Sequence, residues 1–154
     1  MLHEGDKVPD VTLTAMDGKT FSPADFAGQN FVLYFYPKDD TTGCTAEAQA
    51  FTALAEQFER AGTWILGVSK DSPARHGKFT EKYNLKVRLA SDESGAACEA
   101  FGTWIEKSMY GRKYMGIDRA TFLVNREGVV SRIWRKVRVA GHAEEVLAAA
   151  AALP

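Results

Sequence analysis

The run Phe31-Val32-Leu33-Tyr34-Phe35-Tyr36 constrains this chain more than any other stretch. Six apolar or aromatic residues in succession leave no polar face, so the strand they form must be covered on both sides. Trp64-Ile65-Leu66-Gly67-Val68 is a second run of this kind. Between the two, Cys44, Glu47, Ala48, Phe51, Leu54, Ala55 and Phe58 recur at helical spacing, which predicts one helix from about Thr41 to Ala61. Ser72-Pro73 then supplies the N-cap and first residue of a helix running to Tyr83, completing a β-α-β-α rhythm. Leu85 to Leu89 alternates like a strand, and Ser94 to Phe101 reads as a short helix. Thr121–Val124 and Val129–Trp134 flank the turn Asn125-Arg126-Glu127-Gly128 as a hairpin, and a helix from His142 to Leu153 closes the chain. At the other end, Val11–Thr14 and Thr20-Phe21 bracket Asp17-Gly18 as an opening hairpin. These patterns predict an α/β fold: a mixed central sheet flanked by helices, with an N-terminal β-hairpin, in a single domain over residues 1–154.

Composition narrows the partners. Nineteen Lys+Arg against twenty Asp+Glu give a net charge of -1, which lacks the one-signed basic surface that nucleic acid requires. No stretch approaches membrane-spanning length, and Met1 to Asp6 has neither a basic start nor an apolar core. The chain reads as a soluble cytoplasmic protein with no membrane or nucleic-acid partner. Two cysteines, Cys44 and Cys98, are too few for a disulfide framework. His3, His76 and His142 lack metal-ligand spacing, so no metal site is expected.

Chemistry is most concentrated in Pro37-Lys38-Asp39-Asp40-Thr41-Thr42-Gly43-Cys44, which joins a buried strand to a helix with a thiol in its first turn. Unpaired amides at a helix start carry partial positive charge and favour a thiolate, so Cys44 is a candidate nucleophile. Packing as a small apolar residue is the competing use of such a cysteine. Arg119 stands just before the apolar strand Ala120 to Val124. If that strand runs antiparallel to Phe31–Tyr36, Arg119 faces Cys44, where its permanent charge would lower the thiol pKa and hold an anionic oxygen. Otherwise it is a surface arginine pairing with Asp118. Thr41 either caps the helix or also contacts substrate. Glu47, one turn after Cys44, either braces Arg119 or serves only as a first-turn anion.

With these residues, Pro37-x-x-x-Thr41-x-x-Cys44, Tyr34-Phe35-Tyr36-Pro37-Lys38-Asp39-Asp40, Gly43-Cys44-Thr45-x-Glu47-Ala48 and Gly116-Ile117-Asp118-Arg119, the chain resembles the peroxiredoxins. Within them it is similar to the bacterioferritin-comigratory-protein group, also called Q-type. Gly67-Val68-Ser69-x-Asp71, Ser91-Asp92-Glu93 and Phe101-Gly102-x-Trp104-x-Glu106-Lys107-Ser108 extend the likeness over nearly the whole chain. The resemblance implies a thioredoxin-like fold and thiol-dependent reduction of hydrogen peroxide and organic hydroperoxides. It puts the peroxidatic cysteine on Cys44, the substrate-binding threonine and proline on Thr41 and Pro37, and the active-site arginine on Arg119. In that reading the Gly43 and Cys44 amides, Thr41 and Arg119 hold the two peroxide oxygens, and no metal or organic cofactor is needed.

Two departures stand out. Relatives with a resolving cysteine five residues after the peroxidatic one have it where this chain has Gln49, and no cysteine occurs between Cys44 and Cys98. A one-cysteine cycle is therefore expected, with the sulfenate taken by thioredoxin, glutaredoxin or a low-molecular-weight thiol. Cys98 is a packed structural thiol or an unusual resolver. Thr42 replaces a proline common in relatives, removing a rigid first helical residue. The expected assembly is a monomer or weak dimer. A peroxide sensor or chaperone-like binding protein switched by Cys44 oxidation is the alternative function. Elsewhere, Arg132, Trp134, Lys136 and Arg138 read as a solvated face, and Trp104, Tyr110 and Tyr114 as core or pocket wall.

Overall fold

A computed structural model describes all 154 residues. The apolar run becomes β3 (Asn30–Phe35), in the interior of a seven-stranded sheet. It lies parallel to β4 (Thr63–Ser69) and antiparallel to β8 (Ala120–Val124). Beyond β4 come β5 (Arg88–Ser91), parallel, then the opening hairpin of β1 (Leu13–Ala15) and β2 (Thr20–Phe21); β9 (Val130–Trp134) forms the other edge. Period-two geometry sends the side chains of β3 to alternate faces. Phe31, Leu33 and Phe35 join one core with Leu66, Val68, Cys98, Phe101 and Phe122. Val32 and Tyr34, with Tyr36 just past the strand, join a second core with Cys44, Ala48, Phe51, Phe58, Phe79 and Val146. Every residue of β3 is buried, as an apolar run demands.

The helices that supply these cores are α1 (Thr42–Ala53), α2 (Ala55–Arg60), α3 (Pro73–Tyr83), α4 (Ala96–Ala100) and α5 (His142–Ala151). The single helix expected over residues 41–61 is thus two. At Leu54 (φ -103°, ψ 7°) the chain leaves helical geometry and its N–H reaches back to Phe51 O, while the Thr52 hydroxyl accepts from Lys86 N at 3.1 Å. Neither glycine nor proline marks the break, so helical periodicity runs straight through it. Strand β5 also starts later than the alternation suggested, although Leu85, Val87 and Leu89 are all buried. No helix is long and apolar enough to cross a membrane.

A two-stranded arm, β6 (Trp104–Met109) and β7 (Arg112–Ile117), stands apart from the main sheet. Its two-residue turn, Tyr110-Gly111, takes positive φ at both positions (54° and 78°), the geometry that matches strand twist in tight hairpins. Tyr110 is fully exposed at this tip and Tyr114 is 42% exposed, so neither is the core or pocket wall expected of them; only Trp104 packs against the core. Arg132 is exposed as expected, its guanidinium 4.6 Å above the half-buried Trp134 ring.

Candidate active site

The antiparallel pairing of β3 with β8 places Phe35 opposite Ala120, so Arg119 stands at the edge where β3 gives way to the loop Pro37–Thr41 and α1. Cys44, the third residue of α1, is 2% exposed. Nη2 of Arg119 donates to Cys44 Sγ at 3.5 Å, and Nη1 donates to Glu47 Oε1 at 2.7 Å. The guanidinium is therefore gripped from one helix face by residues three apart. Asp118 does not compete, since its carboxylate accepts from Lys136 N at 3.3 Å. A backbone bond from Val137 N to Arg119 O at 2.9 Å fixes the arginine from behind.

Gly43 makes this approach possible. A Cβ there would sit 3.0 Å from Arg119 Nη2, so the bare backbone lets the guanidinium lie against the first turn of α1. Those first-turn amides have no acceptor within the helix, and the first helical bond is Thr45 N to Thr41 O. Positive potential thus converges on Sγ from the arginine and from the helix start. Thr41 occupies the N-cap position but makes no side-chain capping bond; its hydroxyl donates to Lys38 O at 2.8 Å. The capping role read from the sequence is corrected accordingly. With its proton committed to a carbonyl, the Thr41 oxygen has lone pairs free to accept a hydrogen bond. Pro37, half-buried, begins the same loop.

The loop is pinned by contacts that the sequence did not announce. Asp39, buried, accepts from Tyr36 OH at 2.5 Å and meets His76 Nδ1 at 2.7 Å, while His76 Nε2 reaches Ala90 O at 3.0 Å. Asp39 N donates to Asp71 Oδ2 at 2.9 Å. Asp40 adopts a left-handed φ of 60° and accepts from Lys82 Nζ and Tyr83 OH at 2.9 and 2.6 Å, which hold its carboxyl below the usual range. Helix α3 therefore holds the loop through His76, Lys82 and Tyr83. The only visible signal was a histidine on the apolar side of α3, and nothing in the sequence pairs it with an aspartate 37 positions earlier.

Burial pushes the Glu47 carboxyl up to about 7, against the opposing pull of Arg119. Its Oε2 is buried with no hydrogen-bond partner. Cys98 lies in the other core, across the sheet from Cys44, and the fold does not bring the two together. Burial, reinforced by Asp92, raises the Cys98 thiol to about 12.

The AhpC/TSA family model matches residues 4–133. Peroxiredoxin Bcp of Bacillus subtilis is 46% identical over 143 residues, spanning 93% of this chain and 91% of that protein. The structure of Xanthomonas campestris peroxiredoxin Q superimposes with a TM-score of 0.86 at 47% identity, covering 91% of this chain and 89% of that one. A second Xanthomonas campestris structure, of bacterioferritin comigratory protein studied for its alkyl peroxide reduction activity, also gives 0.86, at 44% identity over 94% of this chain and 97% of that one. Matches of this identity and span put the chain in the AhpC/TSA family, as a thioredoxin-fold peroxiredoxin of the bacterioferritin-comigratory or Q type and hence a thiol-dependent peroxidase.

Proposed function

We propose that Cys44 is the peroxidatic residue of a one-cysteine cycle acting on hydrogen peroxide and organic hydroperoxides. The bond from Arg119 Nη2 to Cys44 Sγ, with Nη1 locked on Glu47, is the observation that carries this reading. The Cys44 thiolate attacks the terminal peroxide oxygen in line, the S–O bond forms, and the O–O bond breaks. Arg119 and the Gly43 and Cys44 amides stabilise the charge that moves to the departing oxygen. Thr41 accepts the peroxide O–H, because its own proton is held by Lys38 O. Pro37 has no N–H and walls the sulfur from water.

The resulting sulfenic acid needs an outside thiol, supplied by thioredoxin, glutaredoxin or a low-molecular-weight compound. Support comes from the sheet that stands between Cys44 and Cys98. Such a cycle calls for a reducing compartment, which favours the cytoplasm. Nothing in the cycle requires a second subunit, and we read the enzyme as a monomer or weak dimer, open to sedimentation analysis. Intact mass spectrometry after one equivalent of peroxide tests the chemistry. A gain of one oxygen on the wild type and on Cys98→Ala, but not on Cys44→Ser, is expected. A loss of two hydrogens that depends on Cys98 would overturn the one-cysteine cycle.

A further inference from the structure

Glu47 is more than a brace for Arg119. Only one of its oxygens is used: Oε1 accepts from Arg119 at 2.7 Å, while Oε2 is buried without a partner. A buried carboxylate oxygen left bare is costly, and the cost is far smaller when the acid is neutral. The cluster's charge bears on this. An ionised Cys44, an ionised Glu47 and Arg119 together carry a net negative charge in a site where the first two side chains are almost wholly removed from solvent. Either acid alone with Arg119 is neutral. A single proton shared between sulfur and carboxyl therefore keeps the cluster neutral in both forms.

We propose that Glu47 is the proton store of the peroxidase site, holding the proton that Cys44 gives up and releasing it when the peroxide bond breaks. The inference rests on the assignment of Cys44 as the peroxidatic residue. Before reaction the sulfur is a thiolate and Glu47 a neutral carboxyl. The sulfur attacks the terminal oxygen of R–O–O–H, is oxidised by two electrons and becomes S–OH, while the departing RO⁻ receives the Glu47 proton and leaves as ROH. Glu47 is then a carboxylate paired with Arg119, opposite a neutral sulfenic acid. An external thiol condenses with the sulfenic acid, forming a mixed disulfide and water. A second thiol releases the Cys44 thiolate as the external disulfide forms, and its proton returns to Glu47. Glu47 thus has two parts in the step: its Oε1 positions Arg119, and its carboxyl holds the proton that ends on the departing oxygen.

The groups that face this carboxyl are Cys44 on α1, Arg119 before β8 and Tyr34 on β3, whose buried hydroxyl feels the Glu47 charge. Lys107 on β6, Asp118 and His142 on α5 surround Arg119 from further out, with Glu144 and Glu145 beside His142. Burial pushes both Lys107 and His142 down, so each is a rival source of any titration seen.

Infrared difference spectroscopy of the full chain, reduced against peroxide-treated at neutral pH, separates these sources. The expected result is loss of a protonated-carboxyl C=O band in the wild type, no such loss in Glu47→Gln, and a displaced band in Glu47→Asp, which guards against a folding defect in the first variant. In stopped-flow measurements, the rate of Cys44 oxidation falls on the alkaline side as Glu47 ionises, and Glu47→Gln abolishes that limb. Absence of the band in the wild type, its persistence in Glu47→Gln, or an alkaline limb that survives the substitution would each overturn the proposal. Failure of peroxide to oxidise Cys44 at all would instead overturn the peroxidatic assignment beneath it.

Discussion

At the scale of single residues, the site depends on one guanidinium reaching two side chains of α1. Replacing Arg119 by Met removes a donor from the oxygen that gains charge, and the rate of Cys44 oxidation should fall by about 10²-fold, measured by stopped-flow fluorescence. Gly43→Ala tests the same contact from the other side. Its Cβ would come 3.0 Å from Arg119 Nη2, so the guanidinium must give by a few tenths of an ångström and its 3.5 Å bond to sulfur lengthens. Peroxide reactivity should drop while the circular dichroism spectrum stays that of the folded protein. Glu47 predicts a stability signature as well. Its pKa rises from 4.5 in the unfolded chain to about 7 in the folded one. Its contribution is therefore fully present below 4.5 and is lost as pH rises through about 7. Urea midpoints of Glu47→Gln should lack the part of that decline which wild type shows over this window.

At the scale of elements, the loop Pro37–Thr41 is shaped by α3 rather than by its own residues. Asp39→Ala leaves the buried Tyr36 hydroxyl and His76 ring without the carboxylate they both bond, and a buried polar group left unpaired costs about 1–3 kcal/mol, to be read from urea denaturation. Much of the element pattern is legible in the sequence, and for a definite reason. A run like Phe31–Tyr36 can satisfy water exclusion only inside a sheet covered on both faces, and an antiparallel neighbour then carries Arg119 to Cys44. The bend at Leu54 is illegible because Phe51, Leu54 and Phe58 keep helical spacing on both sides of it. The β6–β7 arm is illegible for the opposite reason. Lys107, Tyr110, Arg112 and Lys113 show no alternation because only the base of the arm, Trp104 and Ile117, meets the core and the rest has no buried face to alternate against. The Asp39–His76 pair joins positions 37 apart that only the finished topology brings together.

At the scale of the whole molecule, two apolar cores share β3 as a common wall, one on each face of the sheet. Removing that wall would expose both, so we expect the chain to unfold as one cooperative unit, with tryptophan fluorescence and circular dichroism reporting coincident transitions. Cys98→Ala touches only the core that holds Phe31, Leu33 and Phe35. It should lower stability by about 1 kcal/mol in chemical denaturation and leave peroxide turnover with an external thiol unchanged.

The wall also decides how this enzyme fails. With the two sulfurs on opposite sides of it, the proposed cycle has no internal bridge to shelter Cys44 once it is oxidised. When the outside supply of thiols runs short, a second peroxide meets the sulfenic acid and carries it to the sulfinic form, which ordinary thiols do not reverse. On the proposed cycle the molecule behaves like a fuse: its working life is set by the stock of reducing partners and not by its own fold.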